Sequence, residues 1–141
     1  MDKYIVFGNS DSKTMYPDNT SYKFRVKLAQ RLTFEGLWFV SLLELHFGKI
    51  ILTNLIEHTV DIMCNLCDTS LVGEGLLPLL RRIDLRDGPN YHFNTLWHIP
   101  VVVTDTSFID IYIKPSANTS LSFLKEDTKV TLLLRRYPFI E

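Results

Sequence analysis

Cys64-Asn65-Leu66-Cys67 has the C-x-x-C spacing that zinc ribbons and redox motifs use. A structural zinc takes four ligands, and no second pair accompanies this one: His46, His58, His92 and His98 are scattered along the chain. A thioredoxin-type site needs a βαβ setting, which the surrounding pattern does not offer. In a strand over 59–66, an offset of three sends the two sulfurs to opposite faces unless the strand ends between them. The expectation is two structural thiols, with no metal and no cofactor.

Acid–base chemistry needs carboxylates or histidines gathered in a cleft. Asp11, Asp18, Asp68, Asp87, Asp105, Glu126 and Asp127 instead fall in segments that read as turns or strand edges. Glu44 is the exception, placed inside an apolar run, and reads as a structural carboxylate with an arginine as its natural partner. There is no Gly-x-Ser-x-Gly nucleophile elbow. Gly73-Glu74-Gly75 lacks the Gly-Lys-Ser/Thr continuation of a phosphate loop. Two arginine pairs remain, Arg81-Arg82 and Arg135-Arg136. They suit contacts within an assembly, or salt bridges in which one member of each pair is turned inward, since neighbours in a strand face opposite ways. No enzyme site emerges.

Fifteen basic residues against sixteen acidic ones leave a net charge of −1. A protein that coats nucleic acid by neutralising phosphates needs a basic surplus, so a nucleic-acid partner is not expected. Met1-Asp2-Lys3-Tyr4 begins no apolar signal region, and the run from Leu37 to Leu45 is broken by Ser41 and Glu44. Neither a secretory route nor a membrane span is expected. The sequons at Asn19 and Asn118 then read as turn residues, and two cysteines suit a thiol-reducing compartment. A length of 141 residues fits one domain.

The elements that would carry these residues follow a period of two. Ser21 to Leu28 places Tyr22, Phe24, Val26 and Leu28 on one face and Lys23, Arg25 and Lys27 on the other, as in a half-buried strand. After the Glu35-Gly36 turn, Leu37 to Leu45 is apolar on both faces, which suits a strand packed on both faces or one covered by a neighbouring subunit. Further strands are expected over 59–66, 83–86, 99–104, 108–114 and 129–136, with breakers at Asp87-Gly88-Pro89-Asn90 and Pro115-Ser116-Ala117-Asn118. One short helix fits 47–58. The pattern is that of an all-β sandwich, jelly roll or barrel.

Four segments in order carry a family resemblance. They are Met15-Tyr16-Pro17-Asp18-Asn19-Thr20 with Phe24-Arg25-Val26-Lys27-Leu28, and Leu32-Thr33-Phe34-Glu35-Gly36 with the strand Trp38 to Leu45. Then come Val60 to Leu66 with Leu71-Val72-Gly73-Glu74 and Pro78-Leu79-Leu80-Arg81, and last Ile109 to Ile113 with Val130 to Arg136. This series resembles the penton-like minor capsid proteins of Polinton/Maverick elements and adintovirus-like invertebrate viruses, over about residues 14 to 136.

The resemblance implies a single jelly-roll of two antiparallel four-stranded sheets. It further implies a virion subunit that assembles as a pentamer at icosahedral vertices and meets a major capsid protein, put together in host cytoplasm or nucleus. The expected interior is Tyr22, Phe24, Val26, Trp38, Val40, Leu42, Ile62, Ile109, Ile111, Ile113, Val130, Leu132 and Leu134. Leu37, Phe39, Leu43, Phe108 and Tyr112 then point outward, an apolar surplus that motivates self-association. With Arg81, Arg82, Arg135 and Arg136 they form the expected interface set. A second reading is a receptor- or carbohydrate-binding jelly roll on a virion, stacking ligand on Tyr91, Trp97 and Tyr137. A third, a cupin-like enzyme, would need clustered histidines around a metal.

Overall fold

The computed structural model describes residues 2–49, 59–115 and 126–139. Eleven strands follow in order: β1 (Asp2–Gly8), β2 (Lys23–Thr33), β3 (Trp38–His46), β4 (Thr59–Cys64), β5 (Ser70–Val72), β6 (Gly75–Leu77), β7 (Leu79–Asp84), β8 (Asn90–His92), β9 (Ile99–Pro100), β10 (Asp105–Pro115) and β11 (Lys129–Arg136). Among the described residues the helical content is one 3-10 turn, Leu85–Asp87, capped by the Asp84 carboxylate accepting from the Arg86 amide. The helix expected over 47–58 lies outside the described residues from 50 onward, and 47–49 is irregular.

One sheet runs β1-β11-β3-β8, with β9 also on β3, and the other runs β2-β10-β4-β7. With β8 and β9 taken as one interrupted strand, the body has eight strands, all paired antiparallel. The first pairs the last (β1–β11), the second the seventh (β2–β10), the third the sixth (β3 with β8 and β9), and the fourth the fifth (β4–β7). That is one long antiparallel ribbon. Rolling it up adds the pairs β11–β3 and β10–β4, which close it into two sheets. This winding is the jelly roll. At the ribbon's tip, between β4 and β7, β5 and β6 form a separate hairpin.

The core follows the alternation. Phe24 and Val26 from β2, Ile62 from β4, and Ile109, Ile111 and Ile113 from β10 face Val40, Leu42, Val130, Leu132 and Leu134 from the other sheet, and all are buried in one cluster. Phe7 and Phe24 bridge the sheets edge to face, with centroids 6.1 Å apart. Tyr22 is not part of the interior: it sits in the bend before β2 and is 37% exposed. The chain turns from β2 to β3 through Gly36, whose φ of +85° suits a residue without a Cβ.

Two irregularities set which side chains face out. In β3 the register slips between Leu42, opposite Leu132, and Glu44, opposite Thr131, so Leu43 is the extra residue of a bulge. Phe39 and Ser41 lie outside before it, Glu44 and His46 outside after it, while Leu45 stays in the core. In β7 a similar slip near Leu80 leaves Arg81 opposite the buried Ile62 and Arg82 opposite Asp61.

Candidate functional site

The outer face of the first sheet is read from its register, since directly opposed residues share a face. Its rows are Leu37–Tyr137, Asp2–Arg135–Phe39, Tyr4–Leu133–Ser41 and Val6–Thr131–Glu44–His92. Tyr4 is 62% exposed and Val6 is 72% exposed. The segment after β11 folds back along this face: the Tyr137 amide donates to the Leu37 carbonyl at 2.8 Å. Phe139 then lies against Phe39 (5.4 Å) and His98 (4.9 Å), under the Arg135 guanidinium (4.6 Å). Arg135 also donates to Asp2 at 3.2 Å.

Of the expected interface set, Leu37 is exposed, and Phe39 and Leu43 are half-buried on this face. Phe108 and Tyr112 lie on the outer face of the opposite sheet. The Arg25 guanidinium, held by two bonds to Asp110 at 2.6 and 2.9 Å, covers the Phe108 ring at 4.1 Å, and Lys23 lies 5.6 Å from Tyr112. The nine residues are thus divided between two faces and the ends of the sandwich.

The arginine pairs split as strand parity requires. Arg82 makes a two-point contact with Asp61, at 2.6 and 3.1 Å. Arg81 turns inward between Phe93 (4.1 Å) and Trp97 (4.9 Å), donating to the Thr95 carbonyl at 2.8 Å. Burial there lowers its pKa. Arg136 packs against the Gly36 backbone. Among the described residues Glu44 meets histidines rather than the arginine expected. His92, directly opposite it in the register, places Nδ1 2.8 Å from Oε1, and His46 Nε2 is 3.7 Å from Oε2.

β4 ends at Cys64, and a turn returns Cys67 beside it, its amide donating to the Cys64 carbonyl at 3.1 Å. Both thiols are reduced and buried, and contact with Cys64 followed by burial pushes the Cys67 thiol far up. Ser41 Oγ lies 2.9 Å from His98 Nδ1, and Ser41 is fully buried. Burial, and then Arg135, holds the His98 imidazole below its usual range. Among the described residues no three His, Cys, Asp or Glu side chains are placed to hold a metal ion, and no helix is long and apolar enough to cross a membrane.

A cleft of about 700 Å³ opens on the second sheet, where residues 15–19 overhang β2 and β10. Met15, Tyr16, Lys23, Arg25, Asp110 and Tyr112 line it. Asn19 builds the overhang: its amide donates to the Arg25 carbonyl (2.8 Å) and accepts from the Arg25 amide (3.0 Å). At 6% exposure it is a turn residue, as its sequence setting indicates.

No family model and no curated protein matches the chain.

The sequence did not single out Tyr4, Val6, His98 or Phe139. Tyr4-Ile5-Val6-Phe7 is an apolar run that signals a strand, whereas nothing local in the sequence indicates that the segment after β11 returns to cover Phe39.

Proposed function

We propose that the chain is a structural virion protein, a penton-like single jelly-roll subunit that joins copies of itself in a cyclic ring, five-fold at an icosahedral vertex, beside a major capsid protein. The observation that carries this reading is apolar side chains exposed on a jelly-roll body. Tyr4, Val6, Leu37 and Tyr137 are all exposed on one sheet's outer face, on either side of the Asp2–Arg135 pair, more apolar surface than a lone soluble subunit normally shows to water. The ordered resemblance to penton-like proteins adds to it. In this reading the chain performs no catalysis and needs no cofactor, and its location is the virion. Light scattering across a concentration series tests it: a discrete species of five subunit masses is expected, and a strict monomer at high concentration would overturn the reading.

A second reading is a ligand-binding jelly roll displayed on a virion. Trp97 and Tyr137 are 42% and 58% exposed and open to stacking, while Tyr91 is buried with its hydroxyl donating to the Asp84 carbonyl. A glycan array probed with wild type and Trp97→Ala separates the two readings.

A further inference from the structure

The β5–β6 hairpin is the least supported part of the described fold. Its two strands of three residues pair only with each other among the described residues. A two-stranded hairpin of this length is marginal in water on its own. Its backbone is fixed at the base, where the Asp68 amide donates to the Pro100 carbonyl (2.9 Å) and the Cys64 amide to the Pro78 carbonyl (3.1 Å). Gly73 turns it, with φ of +60°.

The hairpin's face assignment is the reverse of a protected one. Leu71 and Leu76 are directly opposed, so they share a face, and that face is outward: Leu71 is 83% and Leu76 63% exposed. Val72 and Leu77 on the other face are half-buried. Glu74 stands exposed at the tip and makes no ion pair among the described residues. The result is an apolar knob with an acidic tip.

The cleft beneath residues 15–19 is its counterpart. It is concave, lined by Met15, Tyr16 and Tyr112, and carries Lys23 at its rim. Asp110 already neutralises Arg25 there, whereas the Lys23 side chain is exposed and, among the described residues, its ammonium meets the Tyr112 ring and no carboxylate. One row of the sheet, Lys23–Tyr112–Met63–Leu79, runs from the cleft to the strand that follows the hairpin. Lys23 at the cleft and Leu79, where the chain leaves the hairpin, therefore lie at the same end of one sheet on its two edge strands, about 14 Å apart at three strand spacings.

We infer that the β5–β6 hairpin of one copy seats in the cleft of the next, with Leu71 and Leu76 against Met15, Tyr16 and Tyr112, and Glu74 facing Lys23. Different surfaces meet, so the contact is heterologous, and a heterologous contact builds a ring when the rotation between copies closes and a filament when it does not. The cleft volume accommodates two leucine side chains, and the opposed charges set the direction of entry. The inference deepens the proposed ring and rests on that reading.

Sedimentation velocity on Leu71→Ser/Leu76→Ser tests it. Both side chains are exposed, so the circular dichroism spectrum should match wild type and the melting temperature should match wild type diluted to monomer, while the ring species falls to monomer. Glu74→Lys and Lys23→Glu should each weaken the ring at least tenfold, and the two combined in one chain should restore it. A wild-type ring that survives in the serine variant overturns the hairpin contact and leaves the ring standing. A wild-type monomer overturns the ring itself. Failure of the double charge reversal to restore what the single changes lose overturns the Glu74–Lys23 pairing.

Discussion

Asp61 and Arg82 form an asymmetric ion pair, and the asymmetry is measurable. The Asp61 side chain is 4% exposed and the Arg82 side chain 47% exposed, with the two directly opposite on β4 and β7. Losing the guanidinium leaves a carboxylate in a site that water barely reaches. Removing one partner of a fully buried pair costs about 3–5 kcal/mol, and half-exposure of Arg82 reduces that to about 2 kcal/mol for Arg82→Met. Losing the carboxylate leaves an arginine able to hydrate, so Asp61→Leu should cost under about 1 kcal/mol. The double variant Asp61→Leu/Arg82→Met should lie near Asp61→Leu alone, giving a coupling energy of about 2 kcal/mol, the whole cost of Arg82→Met. With a urea dependence of about 2 kcal/mol per molar, Arg82→Met should lower the unfolding midpoint by about 1 M. The assay is equilibrium urea unfolding at low protein concentration, with oligomer mass measured in parallel. An unchanged midpoint together with lost assembly would refute the reasoning, and would return Arg82 to the interface set.

Stability should fall on acidification through the histidine range. His98 has its pKa lowered in the fold by burial and Arg135, so the unfolded chain binds the extra proton first; its contribution is complete above about pH 6.5 and lost as pH falls through the lower folded value. Thermal melts at a series of pH values check this, with His98→Gln flattening the slope. Cys64 and Cys67 should resist an alkylating reagent in the native protein and react at once in denaturant, as buried thiols do; rapid native labelling would contradict their placement. Phe139→Ala should cost about 1 kcal/mol by removing the ring stacked against Phe39, His98 and Arg135, and should raise dye binding to the uncovered face.

The strands with one wet face were readable from the sequence because burial imposes period two. In β10, Ile109, Ile111 and Ile113 alternate with Asp110 and Lys114, and in β2, Phe24 and Val26 alternate with Lys23, Arg25 and Lys27. β1 was missed because its outward Tyr4 and Val6 are as apolar as its inward Ile5 and Phe7, so it shows no alternation, and its apolar run is shorter than the one that marks β3. β8 was missed because three residues carry no period, and its pairing partner in β3 lies over forty positions away. Expectations over 83–86 and 99–104 shifted, β7 beginning at Leu79 and β9 ending at Pro100, because those boundaries depend on β4 and β3 rather than on local composition.

The candidate surface was less legible. Strand parity predicts that each arginine pair divides, but only the slip at Leu80 decides that Arg81 is the member turned inward. The Leu43 bulge sets Glu44 opposite His92, and no local signal announces a bulge. Phe39 was read as uncovered because its cover, Phe139, comes from a segment a hundred residues later. The hairpin's Leu71 and Leu76 flank Gly73 and Gly75, which read as chain breakers, and this hides an outward apolar face.

Electron microscopy of the purified protein, with two-dimensional class averages, tests the central claim most directly. Rings with five-fold symmetry, each lobe the size of one jelly roll, are the predicted result. Particles of single-subunit size across the accessible concentration range, or rings of another symmetry only, would contradict a penton-like subunit.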